Sequence, residues 1–168
     1  MKKLFLLCAV FAALASCKGP QDDDSVYAVD MLKKGESLPA FSLKDRSDVL
    51  HSGDEFAGKY LVLDFWATWC PDCRADVPEM KRLQAAYGDK AVFVGVSFDT
   101  DPTKLDQYVA ENGIGWLQLS DFVAKKESTV AASFGIRWIP AMYLVDPEGK
   151  IVLGTVMISK LAAALKAL

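Results

Sequence analysis

One short stretch, Asp64-Phe-Trp-Ala-Thr-Trp-Cys-Pro-Asp-Cys73, constrains the fold of this chain more than any other. It overlaps a continuous apolar run, 59–66, which has the length of a strand buried on both faces of a mostly parallel sheet. A helical pattern begins directly after the first cysteine, because apolar residues recur at helical spacing from 77 to 87. The sequence therefore predicts a buried strand that leads into a helix with two thiols in its first turn.

This arrangement predicts redox chemistry. Two cysteines separated by two residues at a helix start can form and break a disulfide with little backbone movement, and the positive end of the helix dipole favours the Cys70 thiolate. Asp64 lies inside the apolar run, where burial penalises an ionised carboxylate, so we expect its pKa to be raised. The alternative for Asp64 is a hydrogen-bonded structural acid. The candidate redox residues are Cys70, Cys73 and Asp64.

The first residues have the pattern of an export signal. Lys2 and Lys3 form a charged start, and residues 4–14 form an apolar core that is too short to span a bilayer as a mature helix. The end of this segment, Leu14-Ala-Ser-Cys17, resembles a bacterial lipobox, in which the cysteine is lipidated and becomes the new N-terminus. We therefore expect residues 1–16 to be a cleaved lipoprotein signal peptide and Cys17 to be the lipidation site. An ordinary signal peptide with a chance cysteine is the alternative.

The export signal simplifies the cysteine count. Of the four cysteines, Cys8 leaves with the signal peptide and Cys17 carries lipid, so that Cys70 and Cys73 remain as thiols. Disulfides persist in exported compartments, and this pair is expected to cycle between dithiol and disulfide.

Residues 17–37 are polar and predict a flexible tether. An acidic run at 22–24 is typical either of a solvated linker or of a surface-export signal. We expect a lipid-anchored protein of the cell envelope with its domain in the periplasm, and display on the cell surface is the alternative.

Residues 38–168 alternate between strand and helix patterns, which predicts one α/β domain. The chain is 52% apolar, enough for a core, and its net charge of −3 with no basic stripe excludes nucleic acid as a partner. The predicted elements are a hairpin within 38–51, buried strands at 59–66 and 91–98, a helix with Asp101 as N-cap and Pro102 first, a short edge strand at 116–119, a helix over 125–134, strands at 136–146 and 151–153, and a last helix capped by Ser159.

The residues 66–73, with Asp64 before them, Pro78 inside the following helix and Ile139-Pro140 at a late strand, resemble the thioredoxin superfamily. The chain is most similar to the exported, membrane-anchored thiol-disulfide oxidoreductases related to TlpA and ResA. The resemblance covers residues 38–168 and implies a thioredoxin fold, which is a central mixed β-sheet flanked by helices, with an N-terminal β-hairpin. Residues 99–134 exceed the corresponding link of plain thioredoxin, and an inserted helix and strand there is typical of the TlpA-like branch.

The resemblance also implies a role for each site residue. Cys70 would be the exposed nucleophile and Cys73 the resolving thiol, and Asp64 would move protons to and from Cys73. Pro140 would follow a cis peptide bond, and the backbone of Ile139 would pair with an extended substrate segment.

Two tryptophans and one aspartate bear on substrates and redox direction. We expect Trp66 to line the core, and Trp69 to be partly exposed beside Cys70 as a surface for substrate. Trp138 stands where thioredoxins commonly have glycine, which bears on substrate range. Asp72, between the cysteines, disfavours the Cys70 thiolate, so we expect a reductase or isomerase rather than a strong oxidant.

The implied partners are disulfide-containing exported proteins, among which apocytochrome c is one candidate, a membrane electron donor, and the lipid membrane through Cys17. We expect no cofactor and no metal, because His51 is the only histidine and lies far from the cysteines in sequence. Peroxide reduction is disfavoured, since Leu63 and Ala67 occupy the places of the proline and Thr or Ser that it requires. The alternative function is a lipid-anchored, non-catalytic binding module with an inert disulfide.

Overall fold

The computed structural model describes residues 22–168, so the expected signal peptide and Cys17 lie outside the described residues. The elements in chain order are α1 Asp24–Tyr27, β1 Ser42–Asp45, β2 Leu50–Ser52, β3 Tyr60–Trp66, α2 Pro71–Tyr87, β4 Ala91–Ser97, α3 Pro102–Glu111, β5 Leu117–Ser120, α4 Thr129–Ser133, β6 Ala141–Val145, β7 Ile151–Thr155 and α5 Ile158–Lys166. Within this part of the chain, no helix combines the length and apolar character needed to cross a membrane.

The strands form one mixed sheet of seven strands in the order β2-β1-β5-β4-β3-β6-β7. The central strands β3, β4 and β5 are parallel. On one side β6 pairs antiparallel with both β3 and β7, and on the other β1 pairs antiparallel with both β5 and β2. Helices flank this sheet, which confirms the predicted thioredoxin fold with its N-terminal hairpin. The position of β3 near the centre explains its continuous apolar sequence, because both of its faces are covered.

Side chains of β3 alternate between the two covered faces. On one face, Val62 packs with Met80 of α2 and with Leu161 and Leu165 of α5, all at most 2% exposed. On the other face, Phe65 contacts the rings of three further buried aromatic residues, Phe98, Phe134 and Tyr143. Two apolar layers therefore hold β3 in place. By the same alternation, Asp64 projects to the face of Val62, beneath α2.

The segment 22–37 is part of the fold, which corrects the predicted flexible tether. Ala28 and Met31 are buried, and the N–H of Leu32 donates to the Tyr143 hydroxyl at 2.8 Å. The N–H of Gly35 donates to the Ile151 carbonyl at 2.8 Å. The prediction was wrong because a few apolar residues in this polar stretch find partners more than a hundred positions later. The folded unit thus includes residues 22–37, ahead of the predicted start at 38.

Four further predictions of elements were inaccurate. The strand at 116–119 is not an edge strand, because β5 lies between β1 and β4. The helix expected over 125–134 is split into a short 3-10 turn at Lys125–Glu127 and α4, which Ser128 caps through the Ala131 N–H. The strand expected from 136 begins only at Ala141, after the cis peptide bond. The last helix has Met157, not Ser159, at its N-cap.

Candidate active site

The two cysteines lie at the N-terminus of α2, as the sequence predicts. Cys70 is the N-cap residue, Pro71 opens the helix, and the Cys73 N–H donates to Cys70 Sγ at 3.1 Å. The two residues form a disulfide with Cα atoms 5.3 Å apart. An N–H directed at Sγ, together with the helix dipole, stabilises a negative charge on Cys70 once the disulfide is reduced.

The exposure of the disulfide differs from the expectation. Cys70 and Cys73 are each 4% exposed, so the prediction of an exposed Cys70 is wrong for the disulfide form. Large aromatic surface is exposed instead. Trp69 is 58% and Trp138 57% exposed, whereas Trp66 is buried at 2%, which confirms the expectations for Trp66 and Trp69. A substrate that approaches Cys70 therefore meets indole rings first.

The turn before Cys70 is held by a carboxylate that sequence reasoning missed. Asp99 is 3% exposed and accepts hydrogen bonds from the Thr68 N–H at 3.0 Å, from the Thr68 hydroxyl at 2.6 Å and from the Ser97 hydroxyl at 2.7 Å. Its position in the sequence could have revealed it. Asp99 follows β4 and Cys70 follows β3, and the carboxyl ends of these adjacent parallel strands meet at one edge of the sheet. Asp99 thus fixes the turn that positions the disulfide.

A second loop, residues 134–140 between α4 and β6, also contacts the disulfide and is called the cis loop below. The Ile139–Pro140 peptide is cis, as expected, and the Ile139 carbonyl oxygen lies 3.6 Å from Cys70 Sγ. This distance allows a weak S–H···O bond when Cys70 is a thiol. Trp138, directly before this bond, packs edge-on against the Tyr27 ring, with the ring centroids 5.4 Å apart. The cis loop therefore brings Ile139 to the reactive sulfur and joins the site to α1.

Two carboxyl groups, Asp64 beneath α2 and Asp76 on α2, have raised pKa values. Burial, reinforced by the negative charge of Asp76, raises the pKa of Asp64 to about 7, which confirms the predicted direction. Burial and then the charges of Asp72 and Glu79 raise the pKa of Asp76 to about 6. Asp76 was not predicted, although its position three residues after Cys73, on the same side of α2, was a usable signal. Both acids can exchange protons near neutral pH.

His51 lies in the N-terminal hairpin, as expected. Its ring nitrogens contact Glu55 at 2.9 Å and Asp45 at 3.4 Å. The hydrogen bond with Glu55, followed by that with Asp45, raises the pKa of His51. Among residues 22–168, no cluster of three His, Cys, Asp or Glu side chains is arranged to hold a metal ion.

The site and the fold match known proteins. The family model described as Redoxin matches residues 33–164. The thiol-disulfide oxidoreductase ResA of Oceanobacillus iheyensis is 33% identical over 153 residues, which cover 88% of this chain and 74% of the relative. The thioredoxin-like protein YneN of Bacillus subtilis is 33% identical over 71% of this chain and 69% of its own length.

A solved thiol-disulfide oxidoreductase from Bacteroides fragilis superposes with a TM-score of 0.73 at 29% identity, over 79% of this chain and 98% of that structure. The Redoxin match, over residues 33–164, includes both cysteines and the cis-proline loop, which are the parts that form the site. The chain therefore belongs to the Redoxin family and is a thiol-disulfide oxidoreductase of the thioredoxin superfamily, of the TlpA and ResA type.

Proposed function

We propose that this oxidoreductase reduces or isomerises disulfides in exported proteins through Cys70 and Cys73. The observation that carries the proposal is the contact between the reactive pair and the cis loop. Cys70 Sγ receives the Cys73 N–H and lies 3.6 Å from the Ile139 carbonyl. A substrate cysteine bonded to Cys70 would therefore lie beside a backbone edge with which an extended chain can pair.

The reaction begins with the reduced enzyme. The Cys70 thiolate attacks one sulfur of the substrate disulfide, a mixed disulfide forms, and the other substrate sulfur leaves as a thiolate that takes up a proton. Cys73 then loses its proton and attacks Cys70 Sγ, which releases the second substrate thiolate. Two electrons pass from the enzyme dithiol to the substrate, and the Cys70–Cys73 disulfide of the structure is the oxidised product.

Asp64 is suited to receive the proton of Cys73. It projects beneath α2, and its pKa of about 7 lies near neutral pH, where a carboxyl group can both accept and return a proton. An ordinary aspartate with a pKa near 4 would be too weak a base for a thiol. The raised pKa thus gives Asp64 the proton affinity that the resolving step needs.

The negative charge of Asp72 favours reduction over oxidation of substrates. Asp72 lies in the first turn of α2, where it opposes the helix dipole at the Cys70 thiolate. A destabilised thiolate makes the dithiol a better reductant. Equilibration of the Cys70–Cys73 couple with glutathione should give a reduction potential well below about −120 mV, the value of strongly oxidising proteins of this superfamily. A potential of about −120 mV would exclude a reductase.

Export and lipid anchoring at Cys17 complete the proposal. Their support is the charged start, the apolar core and the lipobox of residues 1–17. Since Asp24 is bonded to the domain, a lipid on Cys17 would lie at most roughly 25 Å of fully extended chain from it, which keeps the domain close to the membrane. The expected periplasmic position, the electron donor in the membrane and apocytochrome c as a substrate belong to this proposal.

The proposed function is tested with full-length protein and insulin as the disulfide substrate. Wild-type protein should catalyse insulin reduction, and Cys70→Ser should lose turnover because no nucleophile remains. Cys17→Ala should abolish partitioning into the detergent phase without affecting the fold of the domain. Full insulin-reducing activity in Cys70→Ser would rule out the assigned nucleophile.

A further inference from the structure

A groove of about 500 Å³ opens beside the disulfide, and one of its walls is supplied by α1. The other lining residues come from the cis loop, from the first two turns of α2, and from the link between β7 and α5 with the first residues of α5. The groove is lined by Asp23, Tyr27, Asp72, Ala75, Asp76, Trp138, Ile139, Pro140 and residues 156–159. Ile139 is common to this groove and to the contact with Cys70, so a chain bonded to Cys70 and paired with Ile139 continues into the groove.

The wall nearest the cis loop is aromatic and partly exposed. Tyr27 is 41% exposed and Trp138 is 57% exposed, and their rings pack edge-on against each other. Together they present apolar ring surface to any side chain that enters the groove. Aromatic surface of this kind binds the alkyl stem of a lysine or arginine and attracts its charge.

Helix α1 is firmly attached, so this wall is present before substrate binds. The Asp24 carboxylate accepts hydrogen bonds from the Thr155 hydroxyl and from the Val156 N–H, each at 2.8 Å. Lys160 bonds the same carboxylate at 2.7 Å and Asp22 at 2.6 Å. A preformed wall costs little ordering entropy on binding.

The groove carries negative charge only. Three aspartates line it, and none of its lining residues is a lysine or arginine. Of the cations that adjoin lining residues in sequence, Lys160 pairs with Asp22 and Asp24, Arg137 pairs with Asp30 at 2.8 Å, and Arg74 lies over the Tyr108 ring. Asp72 and Asp76 lie four residues apart on one face of α2, and the Asp23 carboxylate makes no capping hydrogen bond to α1. The carboxylates therefore remain available to an incoming cation.

We propose that this groove selects the substrate of the proposed reaction. It takes the chain segment next to the reacting cysteine and prefers a segment with a lysine or arginine, whose stem packs on Tyr27 and Trp138 and whose charge pairs with Asp23 and Asp72. This inference rests on the proposed function, because the segment reaches the groove only when its cysteine bonds to Cys70. Exposed charge pairs and cation–π contacts of this kind together give a preference of about 5- to 20-fold.

The test uses full-length protein and two disulfide-bonded peptides. The peptides differ only at the position two residues from the reacting cysteine, where one has lysine and the other has glutamate. The wild-type protein should reduce the lysine peptide with a kcat/KM about 5-fold or more above that of the glutamate peptide. The difference should lie in KM and should shrink as salt is added.

Three variants locate the preference. Asp23→Asn and Tyr27→Ala should each bring the ratio of the two peptides toward one, whereas Tyr27→Phe, which keeps the ring, should retain the ratio. Asp89→Asn is the matched control, because it removes one exposed aspartate charge beyond the far end of α2 and should leave the ratio as in the wild type.

The outcomes separate the two proposals. Equal kcat/KM for the two peptides in the wild type, or an undiminished ratio in both Asp23→Asn and Tyr27→Ala, would overturn the selectivity while the reductase function stands. A wild-type protein that reduces neither peptide would overturn the reductase function and the selectivity with it.

Discussion

Replacement of Asp64 by asparagine should stabilise the oxidised protein at alkaline pH. The pKa of Asp64 is raised from 3.8 to about 7, chiefly by burial, so the folded state favours the protonated acid. Between these values the folded protein holds a proton that the unfolded chain has lost, and the free energy of unfolding therefore falls as the pH rises. Because asparagine stays neutral, the variant lacks this penalty.

The size of the effect follows from the raised pKa. Each tenfold change in a protonation equilibrium corresponds to about 1.4 kcal/mol, so the rise from 3.8 to about 7 amounts to about 4 kcal/mol at pH 8. The Asp64 side chain keeps some accessible surface, which makes this value an upper bound. Asp76, with its pKa of about 6, acts in the same direction, so Asp64→Asn retains a smaller fall of stability with pH.

Urea unfolding of the oxidised proteins at pH 5 and pH 8 measures the effect. With a typical slope of about 2 kcal/mol per molar urea, Asp64→Asn should unfold at about 1–2 M higher urea than the wild type at pH 8, and the gap should narrow at pH 5. Asp89→Asn is the control, because its exposed carboxylate should leave the unfolding curve unchanged at both pH values.

The same substitution should impair the reaction. Without a carboxylate to take the proton of Cys73, release of the substrate from the mixed disulfide should slow by about 100-fold at pH 7, while formation of the mixed disulfide at Cys70 is retained. A variant that is no more stable than the wild type at pH 8 and resolves mixed disulfides at the wild-type rate would refute the assignment of Asp64 as a buried proton carrier.

Three more substitutions test other parts of the account. Asp72→Asn should raise the reduction potential by about 15–30 mV, because the Cys70 thiolate loses a repelling charge, and equilibration with glutathione measures it; a lower potential would contradict the argument. Gly135→Ala should lower the free energy of unfolding, measured in urea, by about 1–3 kcal/mol. The added Cβ would lie 2.0 Å from the Asp30 carbonyl oxygen, and Gly135 has a φ of +65°. Wild-type stability would show that residues near 30 do not pack against Gly135. Asp99→Ala should destabilise the protein by about 2–4 kcal/mol, since buried donors of the turn before Cys70 lose their acceptor, and thermal unfolding that matches the wild type would contradict this.

The parts of the fold that local sequence specifies were predicted well. The strand β3, the helix α2 and the N-cap of α3 at Asp101 depend on neighbouring residues, and each was found where the sequence placed it. The cis bond at Pro140 was expected only because the late proline matched a family pattern. Short-range sequence patterns, together with the family motif, thus sufficed to predict where the cysteines and the cis-proline lie in the fold.

The errors share a physical origin in long-range contacts. Residues 22–37 look like a linker, yet Ala28 and Met31 are buried in the core, and the N–H of the adjacent Leu32 donates to the Tyr143 hydroxyl on β6. β5 looks like an edge strand, and it became internal because β1 pairs with it from more than seventy residues away. Asp99 likewise bonds Thr68, which lies 31 positions earlier in the chain. Pairing and burial across such distances leave no local signal.

In the proposed mechanism, Cys70 attacks substrate disulfides and Cys73 resolves the mixed disulfide. Mass spectrometric mapping of a covalent adduct tests it most directly, with the Cys73→Ser and Cys70→Ser variants of the full chain incubated separately with a disulfide-bonded peptide. A stable mixed disulfide should form on Cys70 in Cys73→Ser, and none should form in Cys70→Ser. An adduct on Cys73 in Cys70→Ser, with none on Cys70 in the other variant, would contradict it.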